Sequence, residues 1–358
     1  MLLRSANMLG ILANVADPRA ATAAAFARAV AGTDGPIVVL SHFDADGLAA
    51  AAILVRALRT AGRDARAVIV GKGESPWDDA VRARLGAPAL LVVADLGTRP
   101  EPVLPGVATV IIDHHVPTGA PADATTISGN GLDPEPTSAL LAWWAATGIG
   151  AQDDLLWLAA LGLIGDMADE GWAELAAAQA RWGKTALKDA TVLVNAPRRT
   201  AAADASPALR LLLASDGPKA ITKGEGADAQ ALRDARAEVK AAMDMAKRVA
   251  PRVVGDVALI GFSSGAQVHP LVAQQWRGRL RDKIVIAANT GYRDGWVHFA
   301  ARSASGRDLI AFLADHRPAG ADGRYGNGHA QATGGALPYA LWNDFVAGLG
   351  FPEQQVSP

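Results

Sequence analysis

The chain contains no cysteine among its 358 residues. Disulfide bonds, zinc sites built on thiolates and a cysteine nucleophile are therefore excluded. The sequence also lacks a strong excess of one charge, because 34 Lys and Arg stand against 36 Asp and Glu, for a formal net charge of -2. A globally basic protein that coats nucleic acid is therefore not expected, and any basic surface must be local.

Long hydrophobic runs are absent as well. The longest apolar stretches, such as residues 48–55, are far shorter than the roughly 20 residues that cross a bilayer. Polar side chains interrupt residues 1–18, which fit an amphipathic helix better than a signal peptide. We therefore expect a cytoplasmic protein without a membrane partner.

The first half of the chain alternates short hydrophobic runs with helical segments. The runs are residues 36–41, 66–70, 89–95 and 107–113, and the helical segments between them are 48–60 and 77–85. Continuous apolar runs are typical of parallel strands that helices cover on both faces. The pattern predicts an α/β fold whose N-terminal sheet is doubly wound and mainly parallel, with helices on both faces.

The second half begins with mainly helical sequence and then returns to α/β character. Helices are predicted over 137–146, 153–167 and 227–249, the last as a long connecting helix. Strands at 257–262, 283–289 and 295–302, helices at 270–281 and 308–314, and a closing glycine-rich loop follow. We predict a catalytic domain over 1–200, a helical linker over 201–252 and a smaller C-terminal α/β domain over 253–358.

Eight ionisable residues lie at or beside the apolar elements of the first half. They are His42, Asp44, Asp46, Asp95, Asp113, His114, His115 and Asp166. Extended backbone has a two-residue period, so His42, Asp44 and Asp46 are expected to point to one side. An aspartate after a strand is often only a helix N-cap. Three strand ends with carboxylates, two of them with histidines beside them, instead predict a divalent metal site.

In order and approximate spacing, these residues resemble the four motifs of the DHH phosphoesterase superfamily. The motifs are His42-x-Asp44-x-Asp46-Gly47, Asp95, Asp113-His114-His115 and Asp166. Residues 297–303 and 326–329 resemble the DHH-associated C-terminal domain, with Asn327 in place of one glycine of its GGGH-type loop. The resemblance covers about residues 36–338.

The resemblance implies two divalent ions, usually Mn²⁺ with Mg²⁺ as the alternative, bridged by Asp95. His42 and Asp44 would complete the first ion's ligands. The second ion's ligands would be Asp46, His114 and Asp166. His115 would contact the phosphate as a catalytic residue, and Asp113 would orient the histidine pair.

The resemblance also implies a grip on the substrate in the C-terminal domain. Arg302 and His329 would bind phosphate, and Gly326 and Gly328 would let the backbone approach it; an ordinary turn is the alternative for these glycines. RecJ-like members carry an Asn-Ala…Arg segment that faces the substrate, and residues 195–200 resemble it. The implied contacts are Asn195, Arg198 and Arg199, whereas a solvated basic turn is the simpler interpretation.

We therefore expect a manganese-dependent phosphodiesterase, exonuclease-like, that hydrolyses single-stranded DNA or RNA or short oligonucleotides to nucleoside monophosphates. The substrate is expected between the two domains. One alternative is a phosphatase or phosphodiesterase for a small phosphoester such as pAp, a linear dinucleotide or polyphosphate. Another is a catalytically silent binding protein. The oligomeric state stays open, with a homodimer among the arrangements that the sequence allows.

Overall fold

The computed structural model describes residues 15–357. For Asn327 and His329 within this range it describes the backbone only. The amphipathic helix predicted over 1–18 lies almost wholly outside these residues. The described chain forms two compact units. Unit 1 contains the described residues up to 198 and residues 203–234, and unit 2 contains residues 199–202 and those from 235 onward. The predicted domain limits at residues 200 and 252 stay predictions.

Unit 1 is built on a parallel sheet of five strands in the order β2-β1-β3-β4-β5. The strands are β1 (Ile37–Ser41), β2 (Ala65–Ile69), β3 (Leu90–Ala94), β4 (Ala108–Asp113) and β5 (Ala124–Ser128). The helices of its first part are α1 (Pro18–Ala31), α2 (Ala45–Thr60), α3 (Asp79–Leu85), α4 (Ser138–Thr147) and α5 (Leu156–Gly165). Four further helices follow, α6 (Ala173–Trp182), α7 (Lys184–Val194), α8 (Ser206–Ala214) and α9 (Pro218–Lys223).

Alternate residues of the unit 1 strands supply two separate cores. Ile37 and Val39 of β1 pack into the core that α2, α4 and α5 share. Val38 and Leu40 pack into the core on the opposite face, with Val81 of α3. Both faces of β1 are therefore buried, which explains its continuous apolar sequence and confirms the predicted doubly wound α/β architecture.

Unit 2 is built on a six-stranded sheet in the order β10-β11-β9-β8-β7-β6, in which only β7 and β8 pair in parallel. The strands are β6 (Arg252–Val254), β7 (Val257–Phe262), β8 (Ile284–Arg293), β9 (Trp296–Ser303), β10 (Tyr325–His329) and β11 (Ala332–Pro338). The helices are α10 (Ala227–Ala246), which starts in unit 1, α11 (His269–Arg277), α12 (Leu309–Asp315) and α13 (Tyr339–Gly348). Here too each sheet face carries its own core, one beneath α12 and α13 and the other beneath α11.

The predicted glycine-rich loop is wrong, because residues 325–338 form the β10–β11 hairpin. A Cβ on Gly328 would lie 2.5 Å from the carbonyl oxygen of Ala332, and a Cβ on Gly334 would collide with that of Phe299. The glycines thus allow strands to approach one another. Within residues 15–357, no helix combines the length and apolar character that a membrane span requires.

Candidate metal centre

The predicted motifs follow three neighbouring strands of the unit 1 sheet. His42 comes directly after β1, Asp95 directly after β3, and Asp113 is the last residue of β4. These strands lie side by side and run in parallel, so their carboxyl ends meet at one edge of the sheet. Ligand sites of open α/β sheets occur at this edge.

The turn between β1 and α2 is tighter than the sequence analysis predicted. His42, Asp44 and Asp46 do not lie on one extended segment, because α2 begins at Ala45. Asp44 is the N-cap of α2 and accepts a hydrogen bond from the Gly47 amide at 3.1 Å. A Cβ on Gly47 would lie 2.5 Å from the carbonyl oxygen of His42, so only glycine permits this close turn.

Three groups of side chains offer ligand atoms that lie within 4.8 Å of one another. The groups are His42, Asp44 and Asp95; Asp46, His114 and Asp166; and Asp95, His114 and His115. The first two are the ligand sets that the sequence resemblance implied. Oδ2 of Asp95 lies 3.6 Å from Nδ1 of His42, and its Oδ1 lies 3.7 Å from Nε2 of His114. Asp95 therefore contacts both ligand sets.

The electrostatics of this cluster fit a divalent cation. Burial and the neighbouring charge of Asp44 raise the pKa of Asp95 to about 6, and burial and Asp95 raise the pKa of Asp46 well above its ordinary value. Nε2 of His114 is buried 3.3 Å from Oδ2 of Asp166, yet makes no hydrogen bond of acceptable geometry within the described chain. Crowded carboxylates around an unbonded ring nitrogen are a donor set for a divalent metal ion of the Mg²⁺ or Mn²⁺ kind.

Burial alone would lower the pKa of His42, but the charges of Asp44 and Asp95 and the hydrogen bonds to them together outweigh burial and raise that pKa to about 10. Burial likewise opposes ionisation of Asp44, whereas His42 and Arg198 hold its pKa well below the ordinary value. Protonated His42 therefore supplies positive charge to the neighbouring carboxylates of Asp44 and Asp95. Since a metal needs neutral imidazole, metal binding must displace this proton.

The carboxylate of Asp113 forms hydrogen bonds that stabilise the backbone turns at His115 and Gly97. Its Oδ1 accepts a hydrogen bond from the His115 amide at 2.8 Å and lies 3.2 Å from the Nδ1 of the same residue. Its Oδ2 accepts from the Gly97 amide at 2.8 Å. The hydrogen bond to Asp113 raises the pKa of His115, whose side chain is half exposed. A fixed and accessible imidazole results.

Two backbone positions at the centre depart from ordinary geometry. Asp166 was predicted inside a helix, but α5 ends at Gly165 and Asp166 caps it. Asp95 and Met167 adopt positive φ angles of 62° and 58°. Residues other than glycine occupy this region at an energetic cost, often at functional sites.

Residues 195–199 fall into different environments. Oδ1 of Asn195 accepts a hydrogen bond from the Ala45 amide at 2.9 Å and so secures the start of α2. Nη2 of Arg198 lies 3.9 Å from Oδ2 of Asp44, beside the first ligand set. Arg199 belongs to unit 2, where its carbonyl accepts from the Gln267 amide.

In unit 2, Arg302 lies on β9 and its Nη1 donates to the carbonyls of Ala301 and Thr333. Burial and the charge of Arg277 lower the pKa of Arg302. No carboxylate of the described residues lies within salt-bridge distance of Arg302. Gly326 and Gly328 lie on β10 with φ angles of 82° and 135°, and the side chain of His329 lies outside the described part.

Sequence reasoning missed two residues beside the candidate ligands, Glu135 and Ser138. Both contact candidate ligands that are distant in sequence. The only local signal was Thr137, a helix N-cap residue before an apolar run, which marks the start of α4 and says nothing about its neighbours.

Comparison with known proteins adds independent information. Residues 36–161 match the DHH family, N-terminal domain. The chain is 28% identical to the single-stranded-DNA-specific exonuclease RecJ of Dickeya dadantii, over 86% of this chain and 65% of that protein. It is 29% identical to the RecJ of Thermus thermophilus, over 87% of this chain and 51% of that protein. The chain thus spans between half and two thirds of the length of these relatives.

The fold agrees with this relationship. The crystal structure of RecJ in complex with Mn²⁺ from Thermus thermophilus superposes with a TM-score of 0.73 at 24% identity, covering 97% of this chain and 56% of that one. The two α/β units of the present chain and the order of its four motifs both agree with a RecJ-like protein. These comparisons support a DHH phosphoesterase assignment for residues 36–161, and the chain has a RecJ-like fold.

Proposed function

We propose that the chain is a manganese-dependent phosphodiesterase, an exonuclease that hydrolyses single-stranded nucleic acid or short oligonucleotides to nucleoside monophosphates. The observation that carries this proposal is the position of Asp95 between two sets of ligand atoms. One carboxylate shared by two such sets suits a pair of divalent ions, and paired ions are typical of phosphodiester hydrolysis.

The proposed ligands divide between two ions. His42 and Asp44 would hold the first, Asp46, His114 and Asp166 would hold the second, and Asp95 would bind both. When bound, the two ions would clamp the phosphoryl group, neutralise its charge and lower the pKa of a coordinated water.

The chain's own residues contribute orientation and charge. His115 is half exposed beside this centre, so its ring can donate a hydrogen bond to a phosphoryl oxygen as charge develops there. Asp113 holds the imidazole in place and favours its protonated form. The chain has no cysteine, and this arrangement needs no protein nucleophile.

A nucleic-acid substrate is supported by the relatives, which are named single-stranded-DNA-specific exonucleases. Arg302 would bind a phosphate, because a planar guanidinium that has no carboxylate partner among residues 15–357 suits an anion. His329, Gly326 and Gly328 would contribute to the same grip. Asn195, Arg198 and Arg199 complete the proposed contacts, and the contact with Asp44 puts Arg198 beside the first ligand set.

A cleavage assay on end-labelled DNA and RNA tests the function. Each would be offered as a dinucleotide and as an oligomer of roughly 20 nucleotides, which exceeds the site size of one single-strand-binding fold. Reactions would contain Mn²⁺, Mg²⁺ or EDTA, and labels at either end would report the direction. We expect release of mononucleotides with Mn²⁺ and none with EDTA.

The products separate the candidate substrates. Faster loss of long DNA would support a RecJ-like exonuclease, and faster loss of dinucleotides would support an oligonucleotide scavenger. If no oligonucleotide is cut, pAp and polyphosphate become the next substrates to test. Tight binding of nucleotides without any hydrolysis would contradict the enzyme proposal.

A further inference from the structure

The segment that leads into α4 contacts three of the six proposed ligands. Glu135 lies against His114, the Ser138 hydroxyl bonds to Asp95, and two amides at the start of α4 bond to Asp46. None of these contacts is local, since residues 135–139 are separated from their partners by 21 to 93 positions. The segment therefore contacts side chains that follow three different strands, β1, β3 and β4.

Ser138 makes the closest of these contacts to the shared carboxylate. Its Oγ donates to Oδ1 of Asp95 at 3.0 Å, and its amide donates to Oδ2 of Asp46 at 2.8 Å. The Ala139 amide donates to the other oxygen of Asp46 at 2.9 Å. Ser138 and both aspartates are buried, so no solvent competes for these bonds.

The Ser138 hydroxyl restricts the rotation of the Asp95 carboxylate about its terminal torsion. The terminal torsion of an aspartate is broad, so the carboxylate plane of Asp95 needs an outside contact to hold it. With Oδ1 bonded to Ser138, the carboxylate presents Oδ1 toward His114 and Oδ2 toward His42. Each oxygen of Asp95 thereby faces a different ligand set.

Glu135 contacts a second proposed ligand, His114, at the ring nitrogen that faces away from Asp166. Its Oε1 lies 3.5 Å from Nδ1 of His114, whose Nε2 faces Asp166 at 3.3 Å. A carboxylate against the outer nitrogen of a metal-binding histidine fixes the ring and its tautomer. The side chain of Glu135 is 42% exposed, so substituting it leaves the core intact.

We propose that Ser138 and Glu135 are positioning residues, which hold Asp95 and His114 in the orientations that bind the metal pair. This inference rests on the proposed function, because it assumes that Asp95 and His114 are ligands. It assigns roles to residues outside the four motifs.

Metal affinity tests the inference without any reaction. Titration of the full chain with Mn²⁺, followed by the electron paramagnetic resonance signal of free Mn²⁺, gives the number of bound ions and their dissociation constants. Loss of an outer contact typically weakens metal binding by about 10- to 100-fold. We expect that loss in Ser138→Ala and in Glu135→Ala, and recovery of affinity in Ser138→Thr, which keeps the hydroxyl.

Matched controls separate positioning from general damage. Ser128→Ala removes a buried hydroxyl at the end of β5, and Glu101→Ala removes an exposed carboxylate. Both should bind Mn²⁺ like the wild type. Thermal unfolding of each metal-free protein would verify that the variants are folded.

The outcomes distinguish this inference from the proposed function. Unchanged Mn²⁺ affinity in folded Ser138→Ala would overturn the role of Ser138, and the same result in Glu135→Ala would overturn that of Glu135. Failure of the wild type to bind Mn²⁺ would instead refute the metal centre itself. Binding of two ions by the wild type without hydrolysis of any phosphoester would refute the function and leave the positioning roles standing.

Discussion

The two units each gather buried charge, and they gather opposite signs. At the sheet edge of unit 1, carboxylates crowd together, and burial with neighbouring negative charge raises the pKa of Asp95 to about 6. In unit 2, His269 is buried near His298, Arg199 and Arg302, and burial with these neighbours lowers its pKa well below 6.5. Burial opposes the charged form of both residues, and in each case these neighbours carry charge of the same sign as that form.

The difference indicates which kind of ligand each unit suits. A cluster that resists negative charge is relieved by cations, which fits the proposed metal pair of unit 1. A cluster that resists further positive charge is relieved by an anion, which fits the phosphate contact proposed for Arg302. Perturbed groups of this kind concentrate at functional sites.

The largest expected effect comes from neutralising the shared carboxylate of unit 1. Asp95→Asn keeps the size and tolerates the positive φ angle, but it removes the charge. We expect turnover in saturating Mn²⁺ to fall by about 10³-fold, the upper end for loss of one preorganised electrostatic contact. The metal-free variant should be at least as stable to urea, since one repelling charge is gone. Near-normal turnover would contradict the two-ion proposal.

Removing the guanidinium of Arg302 in unit 2 should weaken substrate binding rather than slow the chemical step. Arg302→Ala is expected to raise KM by about 10- to 150-fold, the cost of a lost charge-assisted hydrogen bond. Steady-state kinetics on an oligonucleotide would measure it. Arg307→Ala is the control, because Arg307 is exposed and pairs with Asp256. An unchanged KM would mean that Arg302 stabilises only its own sheet, through the carbonyls of Ala301 and Thr333.

Topology alone predicts that these side chains come together, whereas their division into two ligand sets came from the family resemblance and stays a proposal. Residues that follow β1, β3 and β4 must converge, since parallel neighbours end at one edge. The local shape of the convergence was not predictable from strand periodicity. Asp44 is a helix N-cap and also lies in one of the groups that could hold a metal ion, so the structural interpretation of this aspartate does not exclude the proposed functional one.

Other features were hidden because their signals are not local. The edge strand β5 (Ala124–Ser128) has the sequence ATTIS, whose threonines do not form a continuous apolar run. The glycines of residues 325–338 resembled a loop, whereas backbone next to Gly328, Gly334 and Gly335 occupies the space that a side chain would need. Ser138 lies 43 positions from Asp95, a pairing that only the folded sheet creates.

Acid should lower the stability of the protein partly through unit 2, and His269 is the residue of that unit through which we test this loss. The unfolded chain protonates this histidine below about pH 6.5, whereas the folded chain does not, so stability is lost as pH falls. Between pH 7.5 and 5.0, His269→Phe, which keeps a ring against Tyr292, should therefore lose less stability than wild type in urea unfolding with EDTA. Equal losses in both proteins would contradict the proposed burial of a neutral histidine.

The smallest expected effect concerns Asn195, which belongs to neither charge cluster. Its side chain accepts the Ala45 amide, so Asn195→Ala should destabilise the chain by about 1 kcal/mol in urea unfolding, the usual value of one hydrogen bond. Asn195→Asp retains the acceptor and suits the helix N-terminus, so it should restore stability. KM should stay unchanged in both variants if the residue only secures α2. A rise in KM in the folded aspartate variant would instead favour the substrate contact that the sequence resemblance implied, because the added negative charge would repel phosphate.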